Sequence, residues 1–92
     1  MPVVYRKRSD ALIQRAIGDE DILLNSSNGH VHQLNASATC IWRKMADDMD
    51  IEALAAILRE SFTIDPATAL ADAKQFVTEL NKLNLIEIKE LE

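Results

Sequence analysis

The residues best suited to chemistry in this sequence are two histidines, one cysteine and a run of aspartates. His30 and His32 flank Val31, so on a strand their imidazoles project to the same side. Two imidazoles can begin a zinc site, but the site needs a third and usually a fourth ligand of matched geometry. Only Cys40 stands near enough in sequence to be considered, so the pair reads as surface or groove histidines with no metal. Cys40 itself falls near the start of a helical segment, a position at which thiols can serve as nucleophiles. A nucleophile would also need a base and a substrate pocket, and Cys40 reads instead as a buried structural cysteine. Asp47, Asp48 and Asp50 bring carboxylates together, but without the glycine and terminal glutamate of an EF-hand loop. They read as a solvated turn. With no glycine-rich phosphate loop and no catalytic constellation, the expectation is a protein with no catalytic residues, no metal site and no cofactor.

Composition narrows the partners. The 92 residues are 48 % hydrophobic and 27 % charged, which places the chain among globular proteins of one domain, spanning 1–92. A chain this short buries only about 60–65 % of its unfolded surface, so a groove or sheet edge is a more natural working surface than an enclosed cavity. No apolar run approaches the roughly 20 residues of a membrane span. Arg6, Lys7 and Arg8 are not followed by an apolar signal-peptide core, and the single cysteine supports no internal disulfide, so a cytoplasmic location is expected. Residues 1–34 hold four basic and four acidic side chains. Residues 35–92 hold six basic and eleven acidic, which accounts for the net charge of −5. Nucleic-acid binders draw most of their affinity from neutralising phosphates, and here the potential has the wrong sign.

The elements that must position these groups follow from periodicity. ALIQRAI at 11–17, ILLN at 22–25 and HVHQL at 30–34 read as three short strands of an antiparallel meander. Gly18-Asp19-Glu20-Asp21 and Ser26-Ser27-Asn28-Gly29 form its turns. From Asn35, a plausible N-cap, the period becomes helical. Helix one runs about 36–47, with Ala38, Ile41, Trp42 and Met45 on one face and Trp42 expected in the core. Asp50 caps helix two, whose stripe is Ile51, Leu54, Ala55, Leu58 and Phe62. Asp65-Pro66 opens helix three with a cap and a first-turn proline. Helix three runs about 66–84, and 85–90 is a short C-terminal strand or tail. On helix three, Leu70, Ala73, Val77 and Leu80 form one stripe. Ala69, Phe76 and Leu83 form a second beside it, widening the apolar arc to roughly 140° at 100° per residue. A core-facing stripe is normally about 100° wide, so this helix reads as buried between two neighbours, or as packing the core with one edge and lining a groove with the other, and both can hold at once.

The order of these elements and the residues joining them resemble the PqqD-like family, that is, coenzyme PQQ synthesis protein D and related leader-recognition proteins of ribosomal-peptide pathways. The matching residues are Gly29-His30-Val31-His32-Gln33-Leu34-Asn35, Ala38, Ile41-Trp42, Ile51, Leu54-Ala55, Leu58, Phe76, Leu80, Leu83 and Leu85-Ile86, spread over about residues 10–88. The chain departs from the PQQ-pathway pattern in having Ser27-Asn28-Gly29 in place of a Pro-Glu-Gly turn, and Asp47-Asp48 in place of Asp-Gly. The resemblance implies an α+β, winged-helix-like fold with a three-stranded antiparallel N-terminal sheet followed by three helices. It implies a non-catalytic chaperone that binds the leader of a ribosomally made precursor peptide and presents it to a modifying enzyme, such as a radical-SAM protein or a leader protease. In that scheme the leader lies antiparallel beside the third strand. His30, Val31, His32, Gln33 and Leu34 offer the backbone ladder, and Phe76, Leu80 and Leu83 the apolar walls.

Two other readings fit the same elements. The helical half could belong to a winged-helix DNA-binding regulator, or the chain could be a structural subunit that self-associates as a homodimer through its sheet edge or its wide third helix. A recognition helix should be basic near its N-terminal end. Helix three balances Lys74 and Lys82 against Asp72 and Glu79. Titration with random and defined duplexes at physiological salt should therefore give no sequence-dependent binding; sub-micromolar, sequence-selective affinity would contradict this reading.

Overall fold

Two glycines at positive φ set the first sheet. In the computed structural model, which describes residues 3–8, 12–46 and 48–91, Ile17 faces Glu20 across a two-residue loop whose first residue, Gly18, takes φ +62°. Glycine tolerates that conformation and the tight hairpin needs it. The loop joins β2 (Leu12–Ile17) to β3 (Glu20–Asn25). The next turn closes when Gly29, at φ +74°, donates its N–H to the Asn25 carbonyl at 2.8 Å, and the Asn25 and Asn28 side chains accept from Ser27 and His30 backbone N–H groups. It leads to β4 (His30–Gln33), and the sheet order is β2-β3-β4, all antiparallel. The expected turn at 18–21 is shorter than read: Glu20 and Asp21 belong to β3. Ala11 of the first expected strand lies outside the described residues, as does Asp47 of the acidic turn.

The helices begin where their caps dictate. Asn35, Asp50 and Asp65 each accept a 2.8 Å bond from the backbone N–H three residues on, at Ala38, Ala53 and Thr68. They open α1 (Ala36–Lys44), α2 (Ile51–Ser61) and α3 (Pro66–Lys82). The first helix stops short of the expected 47. The third ends in a Schellman arrangement: Asn84 takes φ +58°, Asn84 N–H bonds the Asn81 carbonyl, and Leu85 N–H bonds the Leu80 carbonyl at 2.9 Å. That reversal returns Leu85 and Ile86 to the core and starts β5 (Ile86–Glu90).

Here the fold differs from the sequence-based expectation of one N-terminal sheet followed by helices. Val3–Lys7 form a further strand, β1, paired antiparallel with β5 from Val3↔Glu90 to Lys7↔Ile86, so a second, two-stranded sheet joins the two ends of the described chain. Tyr5 also exchanges two backbone bonds with Met49, at 2.8 and 3.0 Å, which fastens β1 to the segment before α2. The fold is therefore α+β with three helices and two antiparallel sheets.

The core lies between the helices and the inner face of the β2-β3-β4 sheet. Leu23, Ile41, Leu54, Leu58 and Leu85 have almost no accessible surface, and Trp42, Phe76, Val77 and Leu80 pack with them. Cys40 is half-buried against this cluster rather than enclosed. On β3, Asp21, Leu23 and Asn25 point inward. The opposite face carries Glu20, Ile22 and Leu24 with their cross-strand neighbours, among which Ile13, Ile17 and Val31 remain 45 %, 61 % and 61 % exposed. Leu58→Ala removes a side chain from the centre of α2 with no exposed surface to spare. Chemical denaturation should show a loss of about 2–5 kcal/mol, a large part of the roughly 5–15 kcal/mol available to a domain; an unchanged midpoint would show that α2 does not pack this way.

Candidate functional site

The edge of β4 is defined by one buried ionic group. Asp21 has no exposed surface, yet its carboxylate receives Arg43 Nε at 3.2 and 3.1 Å, Arg43 Nη2 at 2.6 Å and Gln14 Nε2 at 2.6 Å. Gln14 Oε1 accepts in turn from Trp42 Nε1 at 3.2 Å. The backbone of Asp21 is held as firmly. Its N–H donates to Thr39 Oγ1 at 2.9 Å, and its carbonyl accepts the Leu34 N–H at 2.8 Å. Thr39 closes the circuit by donating its hydroxyl to the Leu34 carbonyl at 3.2 Å. Strands β2 and β3, the end of β4 and helix α1 thus meet at one residue. Among the described residues no buried side-chain nitrogen or oxygen lacks a partner. The Arg43 hydrogen bonds hold the Asp21 carboxyl below its ordinary pKa, against burial that would raise it, with the charge of Arg43 and the Gln14 bond adding to the lowering.

The Leu34–Asp21 bond also fixes which way β4 turns its backbone. Bonded pairs alternate along an antiparallel ladder, and Asp21↔Leu34 continues the register Ile22↔Gln33, Leu23↔His32, Leu24↔Val31 and Asn25↔His30. His32 and Leu34 therefore direct their N–H and C=O groups at β3, while Val31 and Gln33 direct theirs away from the sheet. β4 has no neighbour on that side among the described strands. Within residues 30–34, which the sequence reading offered as a ladder, the outward-directed backbone groups are those of Val31 and Gln33.

Beside this edge lies a cleft of about 350 Å³ between β4 and α3, lined by Val31, His32, Gln33, Leu34, Asn35, Ala38, Phe76, Glu79, Leu80 and Leu83. Seven of the eight residues singled out from sequence line it. His30 does not; it is exposed beyond the end of the cleft, its ring edge-on to His32 with centroids 6.2 Å apart. The apolar residues have distinct roles. Phe76 and Leu80 are almost fully buried and form the floor, whereas Leu83, 36 % exposed, forms the open wall. A smaller hollow of about 130 Å³, sharing Asn35, Ala38, Phe76 and Glu79, prolongs the cleft toward Ser37, Asp72 and Gln75. A larger depression, about 560 Å³, sits at the end of α2 around Arg59, Phe62 and Ile64, away from any strand edge. Among the described residues no three His, Cys, Asp or Glu side chains are grouped to hold a metal ion, and no helix is long and apolar enough to cross a membrane.

Sequence reasoning missed Asp21, Arg43, Gln14 and Thr39. The available signal was slight: an aspartate closing the acidic run Asp19-Glu20-Asp21, two residues before a buried leucine, with an arginine on the following helix. Asp47 aside, the expected acidic turn is real: Asp48, at φ +57°, accepts from Arg6 at 2.9 Å.

A model of the family described as coenzyme PQQ synthesis protein D (PqqD) matches residues 20–86. The chain belongs to the PqqD family. No curated protein matches it. Among solved structures, TbiB1 in complex with the TbiA(beta) leader peptide is similar at a TM-score of 0.78 and 25 % identity, over 95 % of this chain and all of that one. Lasso peptide synthetase B1 complexed with the leader peptide shares the fold at a TM-score of 0.75 and 22 % identity, over 90 % of this chain and 96 % of the other. The PqqD match spans β3, β4 and all three helices, and so includes β4, α1 and α3, which line the cleft.

Asp21→Asn keeps the shape of the side chain and removes its charge. The variant should lose about 1–3 kcal/mol at neutral pH, the usual cost of leaving buried polar groups poorly matched. Because the folded carboxyl lies below its ordinary pKa, this stabilisation is complete above about pH 4 and is lost as pH falls through the folded value. Denaturation curves for both proteins should converge in acid; a gap that persists unchanged there would contradict the ion pair's role.

Proposed function

We propose that this PqqD-family chain is a single-domain, non-catalytic chaperone that captures the leader of a ribosomally made precursor peptide by strand addition to β4 and presents it to a peptide-modifying enzyme. The observation that carries the reading is an edge strand with outward-facing backbone groups at Val31 and Gln33, running beside an apolar cleft. Support comes from TbiB1, whose solved structure holds a leader peptide. An extended peptide lying antiparallel to β4 would exchange backbone bonds with Val31 and Gln33. Its side chains opposite His32 and Leu34 would drop toward Phe76, Leu80 and Leu83. Those opposite Val31 and Gln33 would project from the outer face of the sheet. Strand addition of this kind divides the labour: the ladder supplies extended geometry and the pockets choose side chains.

Magnitudes say which part decides affinity. Each new backbone bond contributes about 0.5–1.5 kcal/mol net, while ordering each flexible residue costs about 1–2 kcal/mol, so the ladder roughly breaks even. Burying one Leu- or Phe-sized anchor adds about 1.5–3 kcal/mol. The enzyme that receives the leader, a radical-SAM protein or a leader protease, is part of the proposal, as is action inside the cytoplasm. The DNA-binding alternative gains nothing from the structure, because the exposed face of α3 beside the cleft presents Asp72 and Glu79.

Leu83→Asp places a charge on the open wall of the cleft and should weaken binding of the cognate leader by about tenfold or more, the equivalent of one anchor. Lys82→Ala, next to it but outside the cleft lining, should change affinity little. Calorimetric titration of both folded variants checks this; normal binding by Leu83→Asp would remove the cleft from the mechanism.

A further inference from the structure

The cleft is one-sided in charge. Asp72 and Glu79 stand seven residues apart on α3, hence about 20° apart around the helix and about 10.5 Å along it. Glu79 lines both parts of the cleft and Asp72 the prolongation toward α1. The opposite side, from β4 and α1, offers His32, amides and a hydroxyl. No lysine or arginine lines either part, since Lys74 and Lys82 lie outside both. Asp72 makes no hydrogen bond or ion pair among the described residues, and Glu79 accepts only a 3.3 Å bond from Gln75 Nε2. The outward-facing backbone of Val31 and Gln33 beside the cleft suits an extended chain as its occupant, and such a chain gives the two carboxylates something to act on.

Resting on the strand-addition reading above, we infer that Asp72 and Glu79 determine the charge of the segment accepted: an extended peptide that combines apolar anchors with at least one lysine or arginine turned toward α3. An extended chain advances about 3.3 Å per residue, so the two carboxylates span about three residues of such a peptide. One long basic side chain reaches either of them from between. An aspartate or glutamate at the same place would meet like charge beside an apolar floor that cannot solvate it. Specificity then arises as much from exclusion of acidic segments as from attraction of basic ones.

The test uses a random peptide library displayed on phage, selected against the wild-type protein and against the double variant Asp72→Asn/Glu79→Gln, with circular dichroism confirming that both are folded. Wild type should enrich peptides with alternating apolar residues and a Lys or Arg, and deplete Asp and Glu. In a selected peptide made synthetically, exchanging the basic residue for Glu should cost about 3–10-fold in affinity at low salt, less as salt rises. The double variant should keep the apolar preference and lose the charge preference. Apolar peptides selected without charge bias, or a bias that survives in the double variant, would overturn this inference while leaving strand addition intact. Selected peptides whose binding is indifferent to Leu83→Asp would overturn the strand-addition reading itself.

Discussion

A buried carboxylate decides which face of this sheet is the inside. Period-two alternation on β2, β3 and β4 would by itself favour the opposite choice, because Ile13, Ile17, Ile22, Leu24 and Val31 share the outer face. The inner face carries Leu12, Leu23 and Leu34, together with Gln14, Asp21, Asn25 and two histidines. A one-residue slip in register would exchange the two faces. Asp21 opposes that slip with its whole hydrogen-bonding capacity: Arg43 and Gln14 at the carboxylate, Thr39 at the N–H and Leu34 at the carbonyl. With Arg43 removed, the buried carboxylate would be left uncompensated, at a cost of about 3–5 kcal/mol. The parity of β4, and with it the outward direction of the Val31 and Gln33 backbone, follows from this one residue.

The two sheets divide the work of the fold. The β1–β5 pair closes the described chain on itself and is tied to α1 by Lys7, whose Nζ donates to the Trp42 carbonyl at 2.9 Å and lies 5.2 Å from the centre of its ring. Trp42 thus receives support from β1 on one side and from Gln14 on the other. Helix α3 packs its Ala69, Ala73 and Val77 side into the core and leaves its Phe76–Leu83 edge along the cleft. Its wide apolar arc therefore borders both the core and the cleft.

What was legible in the sequence was local. The caps Asn35, Asp50 and Asp65 are three-residue signals and each works as its type requires. The helix stripes and the turn glycines depend on neighbours within a few positions. The cleft residues came from a resemblance spread over most of the chain. Asp21 follows Gly18-Asp19-Glu20 and so reads locally as part of a turn, and nothing nearby reveals a partner 22 residues on. The β1–β5 sheet was hidden for a similar reason: Val3-Val4-Tyr5 is strand-forming, but its partner lies at the other end of the chain. Long-range pairs leave little trace in local periodicity.

The central claim is that a leader peptide extends this sheet at β4, and residue-resolved amide hydrogen exchange tests it most directly. In the free protein the His32 and Leu34 amides should already be protected by β3, and Val31 and Gln33 should exchange freely. On adding the cognate leader, Val31 and Gln33 should become protected while His32 and Leu34 change little. Saturating peptide that leaves Val31 and Gln33 exchanging freely, with protection appearing elsewhere, would contradict the account.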